Sequence, residues 1–578
     1  MGRISALFAR KKLTTAQTRH LVDQLKTACA IYLDPTIRSP NIRGGKALKV
    51  SPFLFGCRSE KRWLNAIIRQ VLRKIVRRSR RDIIQYIPEW DAILECSLVL
   101  VQNYVAHLRL RPSALRRHLR KEPFADAKVL FQAAINLLIP ELQDEVIDTI
   151  LAFLQAENLW KVEFICVEIL LFVLECHSPS ALLLSKLTDQ IERFLAESDV
   201  GQVRHVLSVL QNVTINRQHW NMIEYSELSK LLRFYHSSVT IGTSRNQIYE
   251  LRRGFERCLK NLIALLSVAD LYGFCITVLP LAFDTDMSDE ARLEFGSTVE
   301  YAASKMSLCE QHSFTAGSLA VEYLLHRVAS EDATKCILAC KILTKLIERG
   351  RNDPSQFQSP KVFHIDTYYD ITLATDFVPL RRLLVEQRVH LENALLHAID
   401  RHSRRQMHLE VFYQLLCTLL VEAPGGFTAA AMICLLLQIQ QRFHNIPSNP
   451  PTSLTSEPVH HQDSANRIHA TIMALMTLIS WIERAGSLNA YVTCILKARY
   501  DRAPHLNPPL RERYKYAPHH VSWYEKDLFF DTLEVRFGLW KCFRIVEPKM
   551  PRPIRKRTGS GNDRRGRLSG TLNLSAGL

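Results

Sequence analysis

The chain has 578 residues, 47% of them hydrophobic and 23% charged, with 20 Gly and 24 Pro. That composition excludes collagen-like, low-complexity and wholly disordered classes. At about 100–200 residues per domain, the length implies three to five ordinary domains or one long repeat array.

The formal net charge of +18 is unevenly placed. Residues 1–121 hold 26 basic and 7 acidic side chains, residues 541–578 hold 10 and 2, and 122–540 carry a net −9. A mildly acidic body between two basic ends points to an anionic partner at the ends: lipid headgroups, nucleic acid or an acidic protein surface. The N-terminus lacks a signal-peptide layout, and Ala6 stands where a myristoylation pattern wants Ser or Thr. The apolar runs Phe427–Ile439 and Ala470–Ile482 are too short for a membrane span, and Asp270 and Gly273 interrupt Asn261–Phe283. The expected location is therefore cytoplasmic, with a membrane-peripheral position or, as the alternative, a nuclear one.

In chain order, residues 1–58 read as a basic segment, a short helix followed by a loop holding Pro35, Pro40, Gly44, Gly45 and Pro52. The next stretch, Glu60–Ile84, is the sharpest feature. Its apolar residues Trp63, Leu64, Ile67, Ile68, Val71, Leu72, Ile75 and Val76 form pairs spaced by four, one stripe on a helix. Lys61, Arg62, Arg69, Arg73, Lys74, Arg77, Arg78, Arg80 and Arg81 lie mostly on the other face. Four readings compete: a first array helix with a solvated basic face, an anionic membrane contact, a nucleic-acid or import element, and a calmodulin-type target. Lipid use predicts an exposed stripe; nucleic-acid use predicts a continuous basic face over a buried one. A second basic stretch with Arg116, Arg117, Arg120 and Lys121 would extend the patch if it packs alongside.

Residues 59–442 read as a helical-repeat array. In Phe164–Leu174 the apolar residues nearly surround the helix, broken only by Glu168, and Leu259–Val268 and Leu415–Leu420 are similar. Such helices need neighbours on both sides. Helix starts are expected at Pro140–Glu141, Ser178–Pro179, Ser198–Asp199, Asp286–Glu290 and Ser330–Ala333, with Gly350 ending the run Ala333–Arg349. Breaks every 15–25 residues put a helix pair at about 40 residues. A loop insertion is expected near 351–379, a flexible insertion at 443–463, aromatic-rich C-terminal helices over 464–546, and a disordered basic tail over 547–578. Trp523, Phe530 and Phe537 are spaced for one face of a capping helix. About 20 helices and little or no sheet are expected.

This pattern resembles the armadillo/HEAT class of α-solenoids over roughly residues 60–545. The resemblance implies an all-α helical-pair solenoid acting as a scaffold, adaptor or transport receptor. A basic first segment before a helical rod also resembles plasma-membrane scaffold proteins of the rolling-blackout type. Those carry a Cys cluster at the extreme N-terminus for acylation, where this chain has only Cys29. The armadillo/HEAT likeness is therefore the one carried forward.

Motifs for chemistry are missing. No phosphate-cradling loop, dinucleotide fingerprint, nucleophile elbow or zinc-protease pattern occurs, so no catalysis, no cofactor and no metal are expected. The 14 Cys are spread out; Cys166 and Cys434 read as buried thiols, and Cys336 with Cys340 as core packing. His460–His461, His519–His520 and His402 with His408 read as solvated loop histidines. Asp366, Asp370 and Asp376 with Tyr368 and Tyr369 suggest a docking loop. In the tail, Arg555, Arg557 and Ser560 have the spacing of a basic-directed phosphosite. The functional expectation is a non-catalytic scaffold whose basic N-terminal region contacts anionic lipid or an acidic protein. A nucleic-acid-associated adaptor is the alternative. Protein partners are expected, and no small-molecule substrate is evident.

Overall fold

A computed structural model describes residues 12–33, 56–79, 84, 86–110, 123–176, 180–216, 218, 220, 223, 225–240, 246–306, 314–374, 378–444, 457–514 and 525–540. These contain twenty α-helices and no strand. The first four are α1 (Thr15–Leu33), α2 (Gly56–Arg78), α3 (Asp91–Leu110) and α4 (Pro123–Ala156). Then come α5 (Glu163–Leu174), α6 (Ser180–Ala196), α7 (Val200–Ile215), α8 (Tyr225–Thr240), α9 (Asn246–Ile263), α10 (Val268–Ala282) and α11 (Asp289–Lys305). The C-terminal half holds α12 (Phe314–Val328), α13 (Ala333–Ile347), α14 (Val378–Glu386), α15 (Arg388–His402), α16 (Gln406–Glu422), α17 (Gly426–His444), α18 (Glu457–Ile482), α19 (Gly486–Arg502) and α20 (Thr532–Trp540).

The helices stack in two ladders. One runs α5, α7, α9, α11, α13, α16, α18, each packing on the next. The other runs α6, α8, α10, α12, α15, α17 alongside it. Helix pairs start at Ser180, Tyr225, Val268 and Phe314, the spacing of an armadillo-like repeat. One apolar core runs from Val22 in α1 to Leu539 in α20, so burial is continuous along the rod. Apolar helices drive this. In α13, ten of fifteen residues are buried, which requires neighbours on two sides.

Local chemistry starts and stops the helices. The side chains of Asp199, Ser288 and Asp332 accept from the N–H groups of Gln202, Ala291 and Thr334, capping α7, α11 and α13. Ser267 does the same for α10, a cap the sequence reading passed over. Gly350 has φ +65°, the left-handed geometry that glycine takes without strain, and turns the chain away three residues after α13. The expected helix start at Pro140 is corrected. α4 continues through it, kinked at Leu142 (φ −131°, ψ 41°), because proline breaks a helical hydrogen bond without ending the run. The start expected at Ser178–Pro179 lies outside the described residues.

The segment after α13 carries one short 3-10 helix, Pro354–Phe357, is otherwise irregular, and is held firmly. Phe363 is buried and its N–H donates to Thr477 Oγ1 (3.1 Å). The Trp481 indole donates to Thr367 O (3.1 Å), and Arg484 Nη1 donates to Ile365 O (2.6 Å). Tyr369 packs between Phe363 and Trp481, while Tyr368 beside it is 87% exposed. Asp366 and Asp370 are exposed; Asp376 lies outside the described residues, as do 445–456 and 541–578, which hold most of the 443–463 insertion and the whole basic tail. The single-face reading of the C-terminal aromatics is corrected. Phe530 precedes α20, Phe537 points outward at 64% exposed, and Val535 and Leu539 make the buried face; Trp523 is outside the described residues.

Helices approach closest at small residues. A Cβ on Gly296 of α11 would meet Leu338 Cδ1 of α13 at 2.4 Å, with Leu338 fully buried. Gly296→Ala is expected to cost about 1–3 kcal/mol through overpacking, read as a lower midpoint of urea unfolding. Adding Leu338→Ala should then cost less than it does in the wild-type background, because the extra methyl fills part of the cavity.

Candidate functional site

The candidate site is the basic face of α2. Its apolar face is not free: Ile67, Ile68, Val71, Leu72 and Ile75 are buried, packed in the core with α1, α3 and α4. Leu13 N–H donates to Arg78 O (3.1 Å), fastening the chain before α1 to the end of α2. The exposed stripe expected for lipid use is therefore corrected for the described side chains; those of Trp63 and Leu64 lie outside the description. The cause is that α1, with Val22 and Leu25, supplies the partner surface.

The basic side chains divide. Arg73 forms an ion pair and hydrogen bond with Asp126 at the start of α4. Arg69 is half-buried; burial lowers its pKa below the usual arginine range, and Asp126 opposes that shift. Lys74, Arg77 and Arg78 are exposed. The face is thus not continuously cationic, since a carboxylate sits against its inner edge. Lys61 and Arg62 lie on the α2 backbone, with side chains outside the description. Arg80, Arg81, Arg116, Arg117, Arg120, Lys121 and Ser560 lie outside the described residues. Asp126 had no signal in the sequence, because the pair joins positions 53 residues apart.

Other titratable groups are structural. His402 and His408 are corrected from solvated to buried; their rings stack with centroids 5.2 Å apart. His402 Nε2 donates to Ser330 O (2.9 Å) and His408 Nε2 to Ala333 O (3.2 Å), tying α15 and α16 to the start of α13. They are buried because α13 and α16 are adjacent in one ladder. His460 and His461 sit in α18 with side chains outside the description, and His519 and His520 lie outside the described residues.

Arg499 of α19 is buried without an ion pair among the described residues. Its Nε donates to Leu528 O (2.7 Å), and its Nη1 to His469 O (3.2 Å) and Leu506 O (3.0 Å). Burial lowers its pKa to about 9. It occupies a core position in the row Leu488, Val492, Ile495, Arg499, the one sequence sign of its role. Gln440 and the Phe530 main chain exchange two hydrogen bonds nearby, of 2.8 and 3.0 Å.

Eight described cysteines are free and buried, Cys166, Cys336 and Cys340 among them; Cys434 and Cys494 are exposed. The buried reading of Cys434 is corrected, since Met432, Ile433, Leu435 and Leu436 take the inward face of α17. Among the described residues no group of His, Cys, Asp or Glu is placed to hold a metal ion. No described helix is long and apolar enough to cross a membrane.

The helical ladders match a known family. The family model described as EFR3, armadillo repeat, covers residues 64–531, about four-fifths of the chain. The chain belongs to the EFR3 armadillo-repeat family. No curated protein matches it. Family membership supports a helical scaffold, in agreement with the two ladders and the continuous core of the described residues.

Two outcomes follow from these buried groups. Arg499→Met leaves three carbonyls without their donor and should destabilise the C-terminal helices by about 3 kcal/mol or more, read as earlier hydrogen exchange in α19. Burial lowers the His408 pKa from its ordinary value to about 4, so the folded state favours the neutral ring. That contribution is complete above the unfolded pKa of about 6.5 and is lost as pH falls toward 4, at about 1.4 kcal/mol per pH unit. In urea titrations from pH 7.5 to 4.5, His408→Gln should lose less stability than wild type.

Proposed function

We propose that this EFR3-family chain is a non-catalytic scaffold that sits peripherally on an anionic membrane surface through the basic face of α2. The observation that carries the reading is the split on α2: Ile68, Leu72 and Ile75 are locked in the rod while Lys74, Arg77 and Arg78 face solvent. Such a helix meets headgroups by charge alone, without inserting. Each Lys or Arg at an anionic surface contributes about 1 kcal/mol, so these three give weak attachment that the other basic residues of the first 121 would strengthen. The acidic body, net −9 over 122–540, would be repelled by the same surface, favouring a pose with the N-terminal end down.

Co-sedimentation with phosphatidylserine-containing vesicles, in a salt series and with duplex DNA and RNA competing, tests this. Binding should weaken steeply with salt. Lys74→Glu, Arg77→Glu and Arg78→Glu together should reduce it on the order of a hundredfold or more, leaving the fold intact. Arg69 and Arg73 are left alone because both lie against Asp126. Preference for nucleic acid over vesicles would replace this reading with the adaptor one. Unchanged vesicle binding in the triple variant would remove α2 from the account.

A further inference from the structure

The body between residues 122 and 540 is net −9, yet one corner of it is crowded with arginine. The turn between α15 and α16 carries Arg404 and Arg405, and the irregular segment after α19 carries Arg511 and Arg513. The two segments are far apart in sequence but are held by one side chain. Arg467 of α18 is 5% exposed; its Nη2 donates to Arg404 O (2.7 Å), and its Nη1 to Glu512 O (2.9 Å) and Arg511 O (3.3 Å). Ser464 of α18 fixes the same turn, its hydroxyl donating to Ser403 Oγ (3.2 Å). The cations of both segments therefore stand over one buried guanidinium.

This corner holds more positive charge than its carboxylates balance. Arg404, Arg405, Arg511 and Arg513 are all exposed, and none forms an ion pair among the described residues. Arg467 has no carboxylate within ion-pair distance among them either, and its buried Nε lacks a hydrogen-bond partner there. By contrast, Arg401 is paired with Glu331 and Arg442 with Asp400. The carboxylates at hand are exposed Glu512 and Asp463, which lies near Tyr514; Glu410 accepts from the Gln406 side chain (2.9 Å). No side chain caps α16, so the positive end of this seventeen-residue helix adds to the field. All five cations are arginine. The planar guanidinium fork suits phosphate oxygens two at a time, whereas lysine presents a point charge. A phosphomonoester carries about −1.5 to −2 charge, so clustered phosphates match the density of this corner better than single carboxylates strung along a peptide.

We propose that this corner binds a compact ligand bearing clustered phosphomonoesters, of the inositol-polyphosphate class, with Arg404 and Arg405 holding it from one segment and Arg511 and Arg513 from the other. Two sources share that chemistry, a free inositol phosphate and the headgroup of a phosphoinositide lipid. The inference does not rest on the membrane reading above, since no residue of α2 takes part.

Calorimetric titration of the full chain with inositol hexakisphosphate tests it, with hydrogen exchange locating the ligand. The expected result is saturable binding that slows exchange over 403–408 and 511–514. Arg404→Gln with Arg405→Gln, and separately Arg511→Gln with Arg513→Gln, should each weaken binding on the order of tenfold or more, with an unchanged circular dichroism spectrum. Inositol hexasulfate, whose groups carry only one charge each, should bind at least about tenfold more weakly. Vesicles containing phosphatidylinositol 4,5-bisphosphate separate the sources, in a chain carrying Lys74→Glu, Arg77→Glu and Arg78→Glu so that α2 does not contribute. Vesicle binding that falls in the Arg404 and Arg405 double variant supports the site with a lipid headgroup as its source; calorimetric binding without it supports the site with a free ligand. The proposal is overturned by the absence of saturable binding or by exchange protection confined to the first 121 residues. Equal affinity for the hexasulfate, or binding that neither arginine pair affects, would overturn it as well.

Discussion

The rest of the molecule depends on helices that are apolar around most of their circumference. In α16, thirteen of seventeen residues are buried. Such a helix cannot lie on a surface, and pairing it with one neighbour leaves too much apolar area in water. Two ladders of helices, each member touching the next in its own ladder and its partner in the other, satisfy it on every side. The architecture then propagates: each buried helix needs a successor. Among the described residues the last helices, α19 and α20, are joined by a different device, the guanidinium of Arg499 drawing three carbonyls together.

Polar groups set register rather than supply most of the stability. Lys186 meets Asp148 across α6 and α4, Lys230 meets Asp189 across α8 and α6, and Arg442 meets Asp400 across α17 and α15. All are partly exposed pairs, each worth under about 1 kcal/mol. Their consequence is positional, since a one-turn slip between neighbouring helices would separate all of them. Arg292 does more. It is 3% exposed, and donates to Asp332, Asp289 and the main chain of Asp284 and Met287, so the loops entering α11 and α13 are held by one side chain.

The helical period, the caps at Asp199, Ser288 and Asp332 and the repeat spacing were legible in the sequence because each is a local pattern. The positions misread share a different property. His402 and His408 sit in a run of polar and basic residues, and only the packing of α16 beside α13 buries them. Cys434 sits in an apolar run, yet α17 rotates it outward while its neighbours on both sides take the core. The polarity of a stretch does not give the facing of one residue within it. The partner of Arg73 was illegible for a related reason: Asp126 comes near through tertiary packing alone. The two positions differ by 53 residues and belong to no common local pattern.

The division of α2 also limits what kind of contact its surface can make. An amphipathic helix that enters a membrane draws most of its affinity from its apolar face, and that affinity depends little on salt. Among the described side chains of α2 the apolar face is spent on the rod, so a partner there meets charge, at one exposed lysine and two exposed arginines. Charge contacts at a surface fade over a Debye length of about 8 Å at physiological ionic strength. A scaffold held in this way attaches by many weak contacts in parallel rather than one deep anchor, and its hold scales with the density of negative charge beneath it. The Arg73–Asp126 pair sharpens that dependence. It removes a cation from the face to fasten α2 to α4, so rigid placement of the helix is gained at the expense of the strength of its contact.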